Sequence, residues 1–163
     1  MFYVGDKFRL MAEIKNHFPK NITPFMDVEY PSDEREIRTD MVNIIRRACD
    51  QGLMISTYGT VSVRWKGDDF LITPRDVARW DIMAKNIVQV KNGMAEAGKE
   101  PSRSVALHHR IYQLNPHINS IITTQPTNLM AHAVSHQKFD VRTIPESWIF
   151  LQDVPSIPFE SLY

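Results

Sequence analysis

Between Gly52 and Thr73 the chain changes its hydrophobic period, and that change constrains the fold more than any other stretch. Upstream, Ile37, Met41, Ile44, Ile45 and Cys49 recur at the spacing of a single apolar helix face. From Thr60 the pattern alternates. Thr60-Val61-Ser62-Val63-Arg64-Trp65 predicts a strand, Lys66-Gly67-Asp68 a tight turn, and Asp69-Phe70-Leu71-Ile72-Thr73 the returning strand. A helix followed directly by a β-hairpin excludes both an all-helical bundle and an all-β sandwich.

The rest of the chain extends this alternation of elements. Ser32-Asp33-Glu34 sets a cap and acidic residues at the start of the first helix, which ends near Gly52. Pro74-Arg75-Asp76 stops the hairpin, Ile87 to Val90 gives another strand, and Lys91-Asn92-Gly93 turns it. Ser102 is expected to cap a helix reaching Leu114, which Asn115-Pro116 ends. Ile118 to Thr124 reads as a buried strand by its isoleucines, followed by a helix from Pro126 or Thr127 to Val134. From Val141 to Phe159, short apolar runs between Pro145, Pro155 and Pro158 predict short strands with frequent turns. Residues 6–18 form a weakly amphipathic helical pattern, and Pro19, Pro24 and Pro31 mark a connecting segment. The expected organisation is an extension or linker over 1–31 and one domain over 32–163. Its fold class is α/β, a three-layer α/β/α arrangement with a mostly antiparallel central sheet.

Charge and cysteine content narrow the function classes. The 19 basic and 19 acidic side chains cancel, so no strong field is available for a polyanion, and nucleic acid is not expected as a partner. No apolar run approaches the roughly 20 residues needed to span a bilayer, so no membrane partner is expected either. The single cysteine, Cys49, cannot form an internal disulfide and falls on the apolar helix side, which fits a reducing cytoplasm. Asn21-Ile22-Thr23 matches a glycosylation sequon of a kind common by chance. Trp65, Trp80 and Trp148 lack an accompanying basic stripe and are expected in the core or a subunit interface.

Several separated segments share one resemblance. Gly59-Thr60-Val61-Ser62-Val63-Arg64, Phe70-Leu71-Ile72-Thr73-Pro74, Gly98-Lys99-Glu100-Pro101-Ser102, Leu107-His108 with Ile111-Tyr112, Pro116 with Asn119-Ser120-Ile121-Ile122, and Ile157-Pro158-Phe159 occur in consistent order. Together they resemble the class II aldolase and adducin head-domain family from about Glu34 to Tyr163. That resemblance implies a zinc ion held by three histidines, polarising an enediolate, with a glutamate moving the proton. At the positions it implies for the His-x-His pair stand Thr123 and Gln125, and Ser104 stands at the glutamate position. The third histidine would lie beyond Tyr163. A hydroxyl and an amide are weak, neutral donors, so the expectation is that no zinc is held and no cofactor is used.

The anion grip that the resemblance implies is altered but not erased. Its residues are Gly59, Thr60, Arg75, Ser102 and Arg103, with the N-terminal end of the Ser102 helix supplying backbone donors. The plainer alternative is that Ser102 only caps its helix and the arginines face water. Ser104 and His108 share a helical face without a third orienting residue, and His108 is expected to serve packing. His132 and His136 share a face without the glutamate of a zinc-protease helix and are expected at the surface.

The functional expectation is a degenerate member of this family, without a competent zinc site, acting as a small-anion binding or oligomeric scaffold domain. The alternative is a metal-dependent aldehyde-lyase or epimerase on a small sugar phosphate, with ligands from another subunit or a missing segment. Expected partners are a small phosphorylated or anionic ligand and either a second copy of the chain or another aldolase-like fragment.

Overall fold

The computed structural model describes residues 34–135, 139–151 and 154–155. The predicted helix over 6–18, the connecting segment before Pro31 and the end of the tail lie outside them. The described residues fall in two compact units, divided between Thr127 and Asn128.

The first unit begins with helix α1, Glu34–Asp50, with Glu34 and Glu36 in its first turn and Arg47 in its last, each complementing the helix dipole. Ile37, Met41, Val42 and Ile45 form its buried stripe. The helix stops where Gly52 turns left-handed at φ 65°. The Gly52 N–H then bonds Cys49 O at 2.9 Å and the Leu53 N–H bonds Ala48 O at 2.8 Å, the paired bonds of a Schellman ending.

Strands β1 (Thr60–Lys66) and β2 (Asp69–Ile72) form the predicted hairpin, with an irregularity in register between Arg64 and Lys66. Strand β3, Val88–Lys91, pairs antiparallel with β2. Asn92 and Gly93 both take positive φ, 49° and 77°, as a two-residue hairpin turn requires. That turn adds an edge strand β4, Met94–Ala95, which periodicity could not reveal because two residues carry no period. After helix α2, Val105–Leu114, strand β5, Ser120–Thr123, returns beside β1. The resulting sheet has five strands in the order β4-β3-β2-β1-β5, every pair antiparallel.

Alternation along β1 builds the layers. Val61, Val63 and Trp65 face α1, where Val61 joins Leu71, Ile82, Ile87 and the α1 stripe in a continuous apolar core. Each such fully buried aliphatic side chain stabilises the fold by about 1.5–3 kcal/mol. Thr60, Ser62 and Arg64 face α2, where Phe70 stacks on Tyr112 with ring centroids 5.2 Å apart. The three-layer α/β/α expectation therefore describes this unit.

Two arginines tie loops to this frame. Arg64 donates to Ile118 O at 2.9 Å, Tyr112 O at 2.8 Å and Asn115 O at 3.1 Å, with its guanidinium 4.7 Å from the Tyr112 ring centre. A cation on the last carbonyls of α2 satisfies groups the helix leaves unpaired. Arg38 bonds Ile87 O and pairs with Glu34 and Glu96, pinning α1 to the start of β3.

In the second unit, α3 continues from Thr127 to Val134, as expected. The tail departs from expectation. In place of short strands, Val141–Thr143 makes a single tight turn and Pro145–Leu151 a helix, α4. Pro145 is preorganised for a first helical position and Glu146 suits the first turn, so the proline starts a helix there and does not break a strand. Trp148 is 48% exposed, and in the first unit Trp80 is 57% exposed, whereas Trp65 packs against the core. No helix of the described residues is long and apolar enough to cross a membrane.

Candidate functional site

One end of the sheet gathers the start of β1 and the ends of β2 and β5. The loop before β1 contributes Gly59, whose φ of 94° leaves no room for a side chain: a Cβ would lie 2.6 Å from Met54 Cγ. After β2, Pro74 bridges Pro101, the Ser102 N–H bonds Thr73 O at 2.9 Å and the Arg75 N–H bonds Glu100 O at 3.0 Å. The approach to α2 is thereby zipped to the hairpin exit. On the far side the Gln125 N–H bonds Leu53 O at 2.9 Å, holding the end of β5 beside the loop that follows α1.

Thr60 and Ser102, both buried, meet with hydroxyl oxygens 2.7 Å apart. Ser102 does not cap α2 as expected. The helix starts at Val105, and Ser104 occupies the cap position without a side-chain cap bond. The Ser102 Oγ pairs with the Thr60 hydroxyl and, within its own loop, accepts only a long bond from the Ser104 N–H, at 3.4 Å. Tertiary contact with β1 takes the oxygen that a local cap would have used.

Beneath this pair lies a fully buried polar chain. Ser62 Oγ is 2.7 Å from His108 Nδ1 and 2.7 Å from the Tyr112 hydroxyl. Thr123 donates its hydroxyl to Thr60 O at 3.3 Å, and its Oγ1 is 3.4 Å from His108 Nε2. These contacts assign the directions of the bonds. Because the Thr123 proton goes to Thr60 O, His108 Nε2–H donates to Thr123, leaving Nδ1 to accept the Ser62 proton and Ser62 to accept from Tyr112. Burial without a carboxylate among these contacts pushes the His108 pKa from 6.5 down to about 4, so the ring is neutral at pH 7.

The remaining predicted residues, in both units, have other surroundings. The Arg103 guanidinium lies 5.8 Å from the Tyr58 ring centre, beside the Gly59 turn. Arg75 is exposed and its guanidinium pairs with Glu100 at 3.3 Å, so its charge is already compensated. Ser104 is half-buried, and Gln125 carries a buried Oε1 with no partner among the described residues. His132 contacts Phe139 edge-on at 5.4 Å, its Nδ1 buried without a partner among the described residues, while His136 lies outside them. A separate open depression of about 290 Å³ between Pro74, Asp76, Val77, Lys85, Asn86, Lys99 and Glu100 balances two lysines against two carboxylates and selects no charge.

Zinc does not fit the donors present. Thr123 offers a neutral hydroxyl already placed between Thr60 O and His108, and Gln125 offers a neutral amide. No group of three or more His, Cys, Asp or Glu side chains is clustered among the described residues. Sequence reasoning missed Ser62, Tyr112 and Arg79 as parts of this region. Ser62 was signalled by polarity at a strand position of the same parity as Thr60, between two valines; for Arg79, between Ala78 and Trp80, no such signal existed.

The family described as Class II Aldolase and Adducin N-terminal domain matches residues 39–161. The 3-oxo-tetronate 4-phosphate decarboxylase of Cupriavidus necator is 28% identical over 101 residues, covering 61% of this chain and 46% of that protein. The L-fuculose-1-phosphate aldolase of Thermus thermophilus superposes with a TM-score of 0.53 at 24% identity, over 61% of this chain and 52% of that one. YgbL of Escherichia coli superposes with a TM-score of 0.58 at 22% identity, over 61% and 49%. At such identities the structural likeness speaks for the fold alone, and this chain spans about half the length of these relatives.

Proposed function

Because the chain belongs to the class II aldolase and adducin N-terminal domain family over residues 39–161, we propose that it is a member that binds a small phosphorylated or otherwise anionic ligand without zinc-dependent carbon–carbon bond cleavage. The observation that carries this reading is the hydrogen-bonded chain Tyr112–Ser62–His108–Thr123–Thr60. It fixes His108 as a neutral, buried structural group and commits Thr123 to protein partners. A general acid–base pair near pH 7 and a Lewis acid are the two requirements of enediolate chemistry, and these side chains supply neither.

Anion binding needs less. The Thr60 and Ser102 hydroxyls are rotors that can turn toward a ligand oxygen, the start of α2 presents backbone N–H groups, and Arg103 adds charge at the rim. Calorimetric titration with inorganic phosphate and with glycerol 3-phosphate tests the reading, alongside metal analysis of the purified protein. Expected are saturable binding that weakens with added salt and in Ser102→Ala, and far less than one zinc per chain. Stoichiometric zinc, or turnover of a phosphorylated ketose by this polypeptide, would overturn it.

The decarboxylase relative favours a second reading, a sugar-phosphate lyase assembled with groups from another subunit or from a segment outside this sequence. Under either reading the domain associates with a second copy or with another aldolase-like fragment. Product release from a 3-oxo-tetronate phosphate would favour the lyase.

A further inference from the structure

Arg79 is 1% exposed, the largest fully buried side chain among the described residues, and neither the fold nor the anion grip described above makes use of its charge. Its Nε–H donates to Gly59 O at 2.8 Å and its Nη1–H to Val77 O at 2.6 Å, while its backbone N–H donates to Ser56 O at 2.8 Å. Among the ion pairs of the described residues, none includes it, and the Asp76 carboxylate and Cys49 thiol act on it only at longer range, less than its burial does. A buried cation solvated mainly by carbonyl dipoles is costly, and its field reaches further than it would through water. An anion arriving nearby recovers part of that cost.

Gly59 provides the mechanical link. Its left-handed backbone packs on Met54 so closely that no side chain fits, and its carbonyl is anchored by the guanidinium. The next residue, Thr60, places its hydroxyl 2.7 Å from Ser102 Oγ. Displacing the Gly59 carbonyl therefore moves Thr60 relative to Ser102, the pair on which the phosphate grip depends. Exposed Arg103 can contribute only screened charge at the rim, whereas Arg79 is fixed and dry.

We propose that Arg79 is a positioning residue for anion binding, clamping the Gly59–Thr60 turn against Ser102 and lending that turn a fixed positive charge. This rests on the small-anion reading above. A purely structural arginine would hold the loop but would not sense the ligand.

The test titrates inorganic phosphate into the wild-type protein while following the Arg79 Nε–H and Thr60 amide resonances, with Arg79→Lys used to assign the former. Affinity is measured in parallel for Arg79→Lys and Arg79→Met. The Nε–H is expected to shift along the same saturation curve as the Thr60 amide. Arg79→Met is expected to bind phosphate about tenfold or more weakly, the scale of one lost charge-assisted contact, with Arg79→Lys between it and wild type. If Arg79→Met fails to fold, the wild-type Nε–H decides alone. Phosphate binding with an unmoved Nε–H, or unchanged affinity in a folded Arg79→Met, overturns this inference and leaves the anion reading standing. No binding by wild type overturns both.

Discussion

Protonating His108 should destabilise this domain at mildly acidic pH. The ring is fully buried, touched by the hydroxyls of Ser62 and Thr123, with its pKa lowered from 6.5 to about 4 by burial. Because the folded pKa lies below the unfolded one, the unfolded chain binds the proton more readily between the two values. Stability from this group is complete above about pH 6.5 and falls as pH drops toward about 4. At about 1.4 kcal/mol per pH unit the displacement amounts to about 3 kcal/mol, of which roughly 2 kcal/mol is lost by about pH 5. That is a large fraction of the stability of a small domain. His108→Leu removes the titration and leaves the Ser62 and Thr123 hydroxyls without the ring, costing about 2 kcal/mol at neutral pH. Urea unfolding followed by far-ultraviolet circular dichroism, from about pH 7.5 down to about pH 4.5, separates the two effects. Carboxylates titrate in both proteins, so the difference between them isolates His108. Wild type is expected to lead by about 2 kcal/mol at the neutral end, with the gap closing by about pH 4.5. A gap that stays constant across that range would refute a neutral, uncompensated His108.

Two other perturbations test how the site is held. Arg64→Ala strips the terminal carbonyls of α2 of their donor and exposes the Tyr112 ring face, and is expected to destabilise by about 2–4 kcal/mol in urea unfolding at neutral pH. Gly59→Ala forces a Cβ to 2.6 Å from Met54 Cγ at a left-handed φ, and is expected to cost about 1–3 kcal/mol in thermal unfolding. A neutral Gly59→Ala would show that the turn is not held in the conformation described.

The second unit lies apart from these arguments and shows how a local signal can be misread. In the sequence Pro145 reads as an interruption between strands, yet a proline preceded by extended Ile144 suits a helix start equally well. Short apolar runs carry the same composition in either state. The backbone bonding distinguishes them: Pro145–Leu151 is helical, and the Trp148 N–H bonds Ile144 O at 3.1 Å at its start.

Apart from the two-residue β4, the order of the helices and strands from Glu34 to Val134 was legible because each carries its period in consecutive residues. The α1 stripe, the two strands around Lys66-Gly67-Asp68 and the Asn92-Gly93 turn are local patterns that burial and backbone sterics convert directly into structure. The family likewise followed from motifs in consistent order, now matched over residues 39–161. What no local pattern contained was how polar side chains would pair across the sheet. Ser102 is a good helix cap in isolation, but its hydroxyl pairs across the sheet with that of Thr60. Arg79 is unremarkable in sequence, yet the crossing of the Gly59 turn with the loop after β2 buries it completely. The buried line from Tyr112 to Thr60 joins residues far apart in the chain, since hydrogen-bond partners are chosen by proximity in space, and that proximity exists only after the hydrophobic faces have closed.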